Sequence, residues 1–164
     1  METESLGRRW NQLVDSLVTA GTLKTSRITA AFRAYPRSAF VPPELAEVAV
    51  SFDAPLLIGE GQTISQPTTV AAMLEHVQPR PGERVLDVGT GSGWQAALLA
   101  YCVGRRDAST DSRSGSQGPP AEGTVVTIER IPALGDAAAK ALDRAGVRNV
   151  VPLVGDAVME SQGH

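Results

Sequence analysis

Cysteine, aromatic residues and net charge are all scarce in this 164-residue chain, and each scarcity restricts the structure or the function that the chain can have. The single cysteine, Cys102, cannot form an intrachain disulfide, and no Cys/His cluster is present that would hold zinc. Aromatic residues make up 4% of the chain, so we expect a core of Val, Leu, Ile and Ala. The net charge of −3 and the isoelectric point near 5.4 give no basis for broad electrostatic binding to nucleic acid or anionic membranes.

Long apolar runs are missing as well. No segment approaches the roughly 18 consecutive apolar residues of a membrane span, and residues 1–9 contain no apolar core of the signal-peptide type. We therefore expect a cytoplasmic protein without a membrane partner. The two histidines, His76 and His164, lie in no nucleophile or metal motif, and we assign them no role.

The first half of the chain shows helical periodicity. Apolar residues recur at helical spacing through residues 6–18, and Gly21 is a suitable C-cap. Ser26 is predicted to cap a second helix, and Pro67 is predicted to lie in the first turn of a third. Residues 40–61 are rich in Pro and Gly, and we predict an extended loop there.

The second half of the chain alternates between strands and helices. Strands are predicted at 84–88, 124–129 and 149–154, with helices at 92–101 and 131–145. This order predicts a parallel sheet with right-handed crossovers. Pro152 has no backbone N–H, so the last strand should lie at a sheet edge. The polar segment 104–123 is predicted to be a flexible surface insertion, because it cannot bury enough apolar surface to offset its ordering entropy.

The central motif runs from Val85 to Gly93, where an apolar strand leads into Gly-x-Gly-x-Gly and then into a helix. Such glycines allow a sharp turn and the close approach of a ligand. A dinucleotide fingerprint has its last glycine one residue later and binds pyrophosphate. Here an acid precedes the loop, which suits a ligand with a cationic amino-acid end, such as S-adenosylmethionine. The predicted cofactor-binding residues of this segment are Asp87, Gly89, Thr90, Gly91, Ser92 and Gly93.

Two further acids follow the next two predicted strands. Glu129 is placed to accept hydrogen bonds from ribose hydroxyls. It comes 40 residues after Gly89 rather than the usual interval of about 20, and the polar insertion accounts for the excess. Asp156 could accept a hydrogen bond from an adenine amino group, although a Gly-Asp pair is more often simply a turn. Taken together, the loop and the two acids predict a nucleoside pocket at the carboxyl ends of the strands.

The segment from Asp53 to Pro67, which contains Gly-Gln-Thr-Ile-Ser-Gln-Pro, resembles the signature of the protein-L-isoaspartate O-methyltransferases, repair enzymes for isomerised aspartate. Further similar segments are Pro36-Arg37, residues 40–42, residues 89–97 with Trp94 where tyrosine is usual, residues 127–130, and Asn149-Val150 with Gly155-Asp156. The resemblance implies an α/β, Rossmann-like class I methyltransferase fold. It also implies a protein carboxyl methyltransferase that uses S-adenosylmethionine as its cofactor and isoaspartyl-containing peptides or proteins as its substrates.

The resemblance also implies the catalytic residues. It places the active-site serine at Ser65, with Thr63 and Gln62 beside it in the same loop. The substrate carboxylate would already be ionised at neutral pH, so hydroxyl and amide groups need only orient it. From the residues alone, a cap or turn role for Ser65 is favoured, and Asp53 either points into the site or caps a loop.

We therefore expect an N-terminal helical and substrate-loop segment at residues 1–82 and a partial S-adenosylmethionine-binding domain at residues 83–164. The family continues beyond this point with further strand–helix units, so we expect a C-terminally truncated chain with an incomplete parallel sheet. The strand at 84–88 would then present an unpaired apolar edge. Two alternatives stay open, namely a non-catalytic fragment or interaction module, and an aspartate methyltransferase that acts in peptide maturation.

Overall fold

The computed structural model describes residues 2–104 and 122–158. The helices are α1 (Glu2–Thr19), α2 (Ser26–Ala34), α3 (Ala46–Ser51), α4 (Pro67–Val77), α5 (Trp94–Val103) and α6 (Pro132–Arg144). The strands are β1 (Leu56–Gly59), β2 (Gln62–Ile64), β3 (Arg84–Val88), β4 (Thr124–Glu129) and β5 (Val150–Val154). Short 3-10 helices lie at Arg37–Phe40 and Pro43–Leu45. Apart from its end residues and Glu122, the predicted insertion at 104–123 lies outside the described residues.

The larger sheet is parallel, as the alternating pattern predicted, and its strands lie in the order β3-β4-β5. Within the part of the chain that the structure describes, β5 pairs with β4 alone, so Pro152 lies on an edge strand as expected. The other edge is β3, whose side chains Leu86 and Val88 are 65% and 63% exposed. The predicted apolar edge is therefore confirmed for the described residues.

The N-terminal helices share one core with the sheet layer. Trp10 of α1 stacks on Phe32 of α2, and both rings meet Trp94 edge-on, with centroids 5.8 and 5.4 Å away. All three rings are at most 1% exposed, while most of the other buried hydrophobic residues are Val, Leu, Ile and Ala, as expected. The few aromatic residues are concentrated where α5 meets α1 and α2. This packing attaches the N-terminal segment to the first helix after the glycine-rich motif.

Residues 40–61 are not the extended loop that their composition predicted. Helix α3 buries Ala49 and Val50, and it packs against α1. Strands β1 and β2 form an antiparallel hairpin in which Leu56 faces Ile64. Its turn has positive φ at Gly59, Glu60 and Gly61 (104°, 52° and 66°), a conformation that favours glycine. Strands of three or four residues are too short to show an alternating pattern, which explains why the sequence did not reveal them.

The ends of the helices follow the sequence signals closely. Gly21 has a φ of 71° just beyond α1, and Pro67 is the first residue of α4. Ser26 is already inside α2, so Thr25 holds the cap position that we had predicted for Ser26. None of the helices in the described ranges is long and apolar enough to cross a bilayer.

Candidate active site

The glycine-rich motif forms a loop that connects β3 to α5. Gly89, Gly91 and Gly93 have φ angles of 90°, 54° and 85°, which L side chains rarely adopt. The backbone N–H groups of Gly89 and Thr90 both donate to the carbonyl of Ile128, at 2.9 and 3.2 Å. The loop is therefore held against the end of β4, where the predicted ribose-binding acid lies.

The three glycines have different surroundings. A Cβ on Gly93 would lie 3.3 Å from Cγ of Leu142, so this glycine allows α5 and α6 to pack closely. A Cβ on Gly91 would lie 3.8 Å from Cδ1 of Ile58, because the β1–β2 hairpin covers the loop at this point. A Cβ on Gly89 would have no atom within 4 Å. Gly89 is therefore the glycine whose backbone is open to a ligand.

Asp87 lies beneath the loop and is 5% exposed. Its carboxylate accepts hydrogen bonds from Nε2 of Gln95 at 3.0 Å and from the Thr127 hydroxyl at 2.8 Å. The Thr127 hydroxyl gives its proton to Asp87, so the Thr90 hydroxyl, 2.6 Å away, donates to Thr127. Burial raises the pKa of Asp87, and the two hydrogen bonds oppose that rise. Asp87 thus supports the loop from below.

Two cavities flank the loop. The larger, of about 280 Å³, lies at the carboxyl ends of the parallel strands. Its walls include the predicted site residues Gln62, Thr63, Gly89, Gly91, Glu129 and Asp156. The smaller, of about 70 Å³, is lined by Thr63, Ser65, Thr90, Ser92, Trp94 and Gln95 together with the loop glycines 89 and 91. Asp87 and Gly93 line neither cavity, and Thr63 borders both.

Glu129 and Asp156 both line the larger cavity, and each accepts hydrogen bonds from backbone N–H groups. The Glu129 carboxylate is 6% exposed and accepts the N–H groups of Gly91 at 2.9 Å and Ile131 at 3.0 Å. A carboxylate offers about four acceptor positions, so two remain for other donors. Asp156 is exposed and accepts the Val158 N–H at 3.0 Å. Both acids can therefore take hydroxyl or amino donors from a nucleoside.

The hairpin brings the predicted catalytic residues to the loop. Gln62 and Thr63 lie on β2, and Ser65 follows it directly; all three are exposed. Asp53, which could have pointed into the site, instead caps α4, because its carboxylate accepts the Thr68 N–H at 2.8 Å and also bonds the Thr68 hydroxyl. Ser92 is partly buried, and its hydroxyl accepts the Trp94 N–H at 3.2 Å.

Sequence reasoning missed the polar residues that support the site, namely Gln95 and Thr127. A signal for Thr127 was available, because alternate residues of a strand share one face, so Thr127 had to lie on the same face as Glu129. The alternating burial along β4 agrees with this placement. Sequence reasoning also assigned no role to Arg37, which is 0% exposed and hydrogen-bonds backbone carbonyls next to the hairpin.

Comparison with known proteins supports the reading from the residues. The family model for protein-L-isoaspartate (D-aspartate) O-methyltransferase matches residues 8–162. The chain is 42% and 40% identical, over 156 residues each, to the protein-L-isoaspartate O-methyltransferases of Methanoculleus marisnigri and Pyrococcus horikoshii. Each match covers 95% of this chain and 62% of the relative, so the chain spans about three fifths of the length of these proteins. A solved structure of a protein-L-isoaspartate O-methyltransferase has a TM-score of 0.69 and 28% identity, over 90% of this chain and 42% of that one, which confirms the predicted fold.

Proposed function

This chain belongs to the protein-L-isoaspartate O-methyltransferase family. We therefore propose that it catalyses the transfer of a methyl group from S-adenosylmethionine to the carboxylate of an isoaspartyl residue. The observation that carries the proposal is the position of the hairpin over the glycine loop. Gln62 and Thr63 share one cavity with Gly89 and Glu129, and Ser65 borders the adjoining one. A nucleoside pocket and a set of hydroxyl and amide groups therefore meet at the same loop.

The residues around the larger cavity fit the cofactor. In our proposal the ribose hydroxyls donate to Glu129 and the adenine amino group donates to Asp156, both of which keep free acceptor positions. Gly89 has no side chain and no neighbour within 4 Å of where one would start, so a ligand can approach its backbone. When bound, S-adenosylmethionine supplies a methyl group that is activated by its sulfonium charge. Asp87 supports the loop and contributes negative charge beneath it.

The residues that line each cavity indicate where the peptide substrate would bind. Ser65 borders only the smaller cavity, whereas Glu129 and Asp156 border only the larger. We therefore propose that the isoaspartyl carboxylate approaches from the Ser65 side while the nucleoside occupies the other side. Thr63, which borders both cavities, lies where the two meet.

The chemistry demands orientation more than proton transfer. A carboxylate with a pKa near 4 is ionised at neutral pH, so no general base is needed. The Ser65 and Thr63 hydroxyls and the Gln62 amide can donate to that carboxylate and hold one oxygen towards the loop without protonating it. Holding reactants in the productive geometry can lower a barrier by several kcal/mol.

A methyl-transfer assay tests the proposal. The full chain is incubated with labelled S-adenosylmethionine and either an isoaspartyl peptide or the same peptide with normal aspartate, and we expect label on the isoaspartyl peptide alone. Ser65→Ala should lower turnover by about 10- to 100-fold, since a hydrogen bond to a charged group contributes about 1.5–3 kcal/mol. Ser16→Ala is the matched control, because Ser16 is exposed on α1 and its hydroxyl, among the described residues, bonds the Leu13 carbonyl alone.

The outcomes separate the alternatives. Label on the aspartyl peptide instead would contradict isoaspartyl specificity and favour a peptide-maturation enzyme. Binding of S-adenosylhomocysteine without transfer to either peptide would contradict the catalytic proposal and favour a non-catalytic module. Full turnover by Ser65→Ala would show that the assignment of Ser65 is wrong.

A further inference from the structure

Arg37 is a charged side chain that the proposed reaction does not use, yet it is 0% exposed. It lies in the 3-10 helix that follows α2. Its Nη2 donates to the carbonyls of Ala54 at 2.7 Å and Ile64 at 3.2 Å, and its Nη1 lies 3.5 Å from the carbonyl of Phe52. All three acceptors are backbone groups around the β1–β2 hairpin.

These contacts join the two ends of the hairpin to one rigid group, the guanidinium of Arg37. Ala54 precedes β1, and Ile64 ends β2 directly before Ser65. The guanidinium carbon also lies 5.9 Å from the ring centroid of Trp94, the first residue of α5 after the glycine loop. Arg37 therefore contacts both the segment that carries Ser65 and the helix that begins at the loop.

The arrangement is energetically demanding. Among the described residues, Nε of Arg37 has no hydrogen-bond partner, and the guanidinium forms no ion pair. Burial lowers the pKa of Arg37 to about 10, opposed by the charge of Asp53, so the group remains charged at neutral pH. Burying a charge costs stability, and here hydrogen bonds to backbone carbonyls offset only part of that cost. The planar guanidinium fork can hold two carbonyls at fixed separation, which a lysine ammonium cannot do as rigidly.

We propose that Arg37 is a positioning residue for the methyl transfer: it fixes the hairpin, and with it Ser65, relative to the glycine loop. This inference rests on the proposed function for its effect on turnover. Its structural part, the attachment of the hairpin to the α5 side of the site, can be measured without any reaction.

The test compares Arg37→Lys with Arg33→Lys in the full chain. Arg33 is the matched control, because it lies on α2, is 41% exposed and pairs with Asp15 at the surface. We expect Arg37→Lys to unfold cooperatively on heating, to lose about 100-fold in kcat and to change the KM for the isoaspartyl peptide by only a few fold. Amide hydrogen exchange should become faster at residues 53–66 and stay unchanged in α1 and α6.

Several results would overturn the inference. One is wild-type kcat in Arg37→Lys, and another is exchange that is unchanged at 53–66 or faster throughout the chain. If Arg37→Lys does not fold, Arg37→Gln is compared with Arg33→Lys in the same way. Failure of both Arg37 variants to fold would show that Arg37 stabilises the whole core rather than the hairpin, and it would overturn the inference. If the wild-type chain transfers no methyl group, the proposed function fails, while hydrogen exchange still decides whether Arg37 fixes the hairpin.

Discussion

Gly89 and Gly93 allow a matched pair of substitutions with a similar backbone cost and opposite consequences. Their φ angles are 90° and 85°, so an alanine at either position is strained in the same way. That strain amounts to about 1–2 kcal/mol of unfolding free energy. What differs is the space that the new methyl group enters.

At Gly93 the methyl group enters packed structure. It would lie 3.3 Å from Cγ of Leu142 and 3.4 Å from both Cβ and the carbonyl oxygen of Ala138. Overpacking of this kind adds about 1–3 kcal/mol to the strain. At Gly89 nothing lies within 4 Å, so only the strain remains. Gly93→Ala should therefore be less stable than Gly89→Ala by about 1–3 kcal/mol in urea unfolding.

Ligand binding should show the reverse order. The methyl group at Gly89 borders the larger cavity, where it would occupy space that the cofactor needs. A steric cost of about 1–3 kcal/mol weakens binding of S-adenosylhomocysteine by about 5- to 150-fold. Gly93 lines neither cavity, so Gly93→Ala, measured by calorimetry below its unfolding temperature, should bind within a few fold of the wild-type chain.

Two results would refute this reasoning. Wild-type affinity in Gly89→Ala would mean that the ligand does not approach the loop at its open glycine. A Gly93→Ala chain as stable as Gly89→Ala would mean that the α5–α6 contact yields to the extra methyl group, and that Gly93 is not required for packing.

Three further predictions concern buried groups. Glu129→Gln should lower the free energy of unfolding by about 1–3 kcal/mol, because the amide cannot accept the N–H groups of both Gly91 and Ile131; unchanged urea stability would contradict this. Burial raises the pKa of Asp87 above 3.8, so the folded chain keeps this proton to higher pH than the unfolded chain, and stability should fall as pH rises through the folded-state pKa. Asp87→Asn should lose that part of the pH dependence in a urea series, and an unaltered profile would refute it. Burial raises the pKa of Cys102 to about 12, so iodoacetamide at about pH 8 should label the thiol only after unfolding, as mass spectrometry would show.

Features that depend on a single peptide segment were predictable. A run of apolar residues followed by glycines at alternate positions predicted a strand at 84–88, a sharp turn and a helix at 92–101. The structure has the strand at Arg84–Val88 and the helix at Trp94–Val103. Pro152 predicted an edge strand because a missing N–H has the same consequence in any sheet. Helix ends at Gly21 and Pro67 followed from backbone preference for the same reason.

The short hairpin at 56–64 was not predictable from periodicity. Its strands are four and three residues long, and its turn is built from Gly59, Glu60 and Gly61, so composition alone indicated a loop. The hairpin also makes contacts with residues outside the segment, among them the hydrogen bonds from the buried guanidinium of Arg37 to the carbonyls of Ala54 and Ile64. No rule that considers neighbouring residues alone contains that information.

The amino-acid sequence by itself determined the order of strands and helices, the glycine loop and the acids at the strand ends, because each depends on local φ preference and side-chain period. The sequence also showed that the Gln-Thr-Ile-Ser segment resembles that of the protein-L-isoaspartate O-methyltransferases. Only the tertiary structure decided that this segment lies over the loop, that Thr63 borders two cavities, and that Asp87 is a support beneath the loop. These contacts join residues far apart in the chain, and they depend on how side chains of particular volume and polarity pack together.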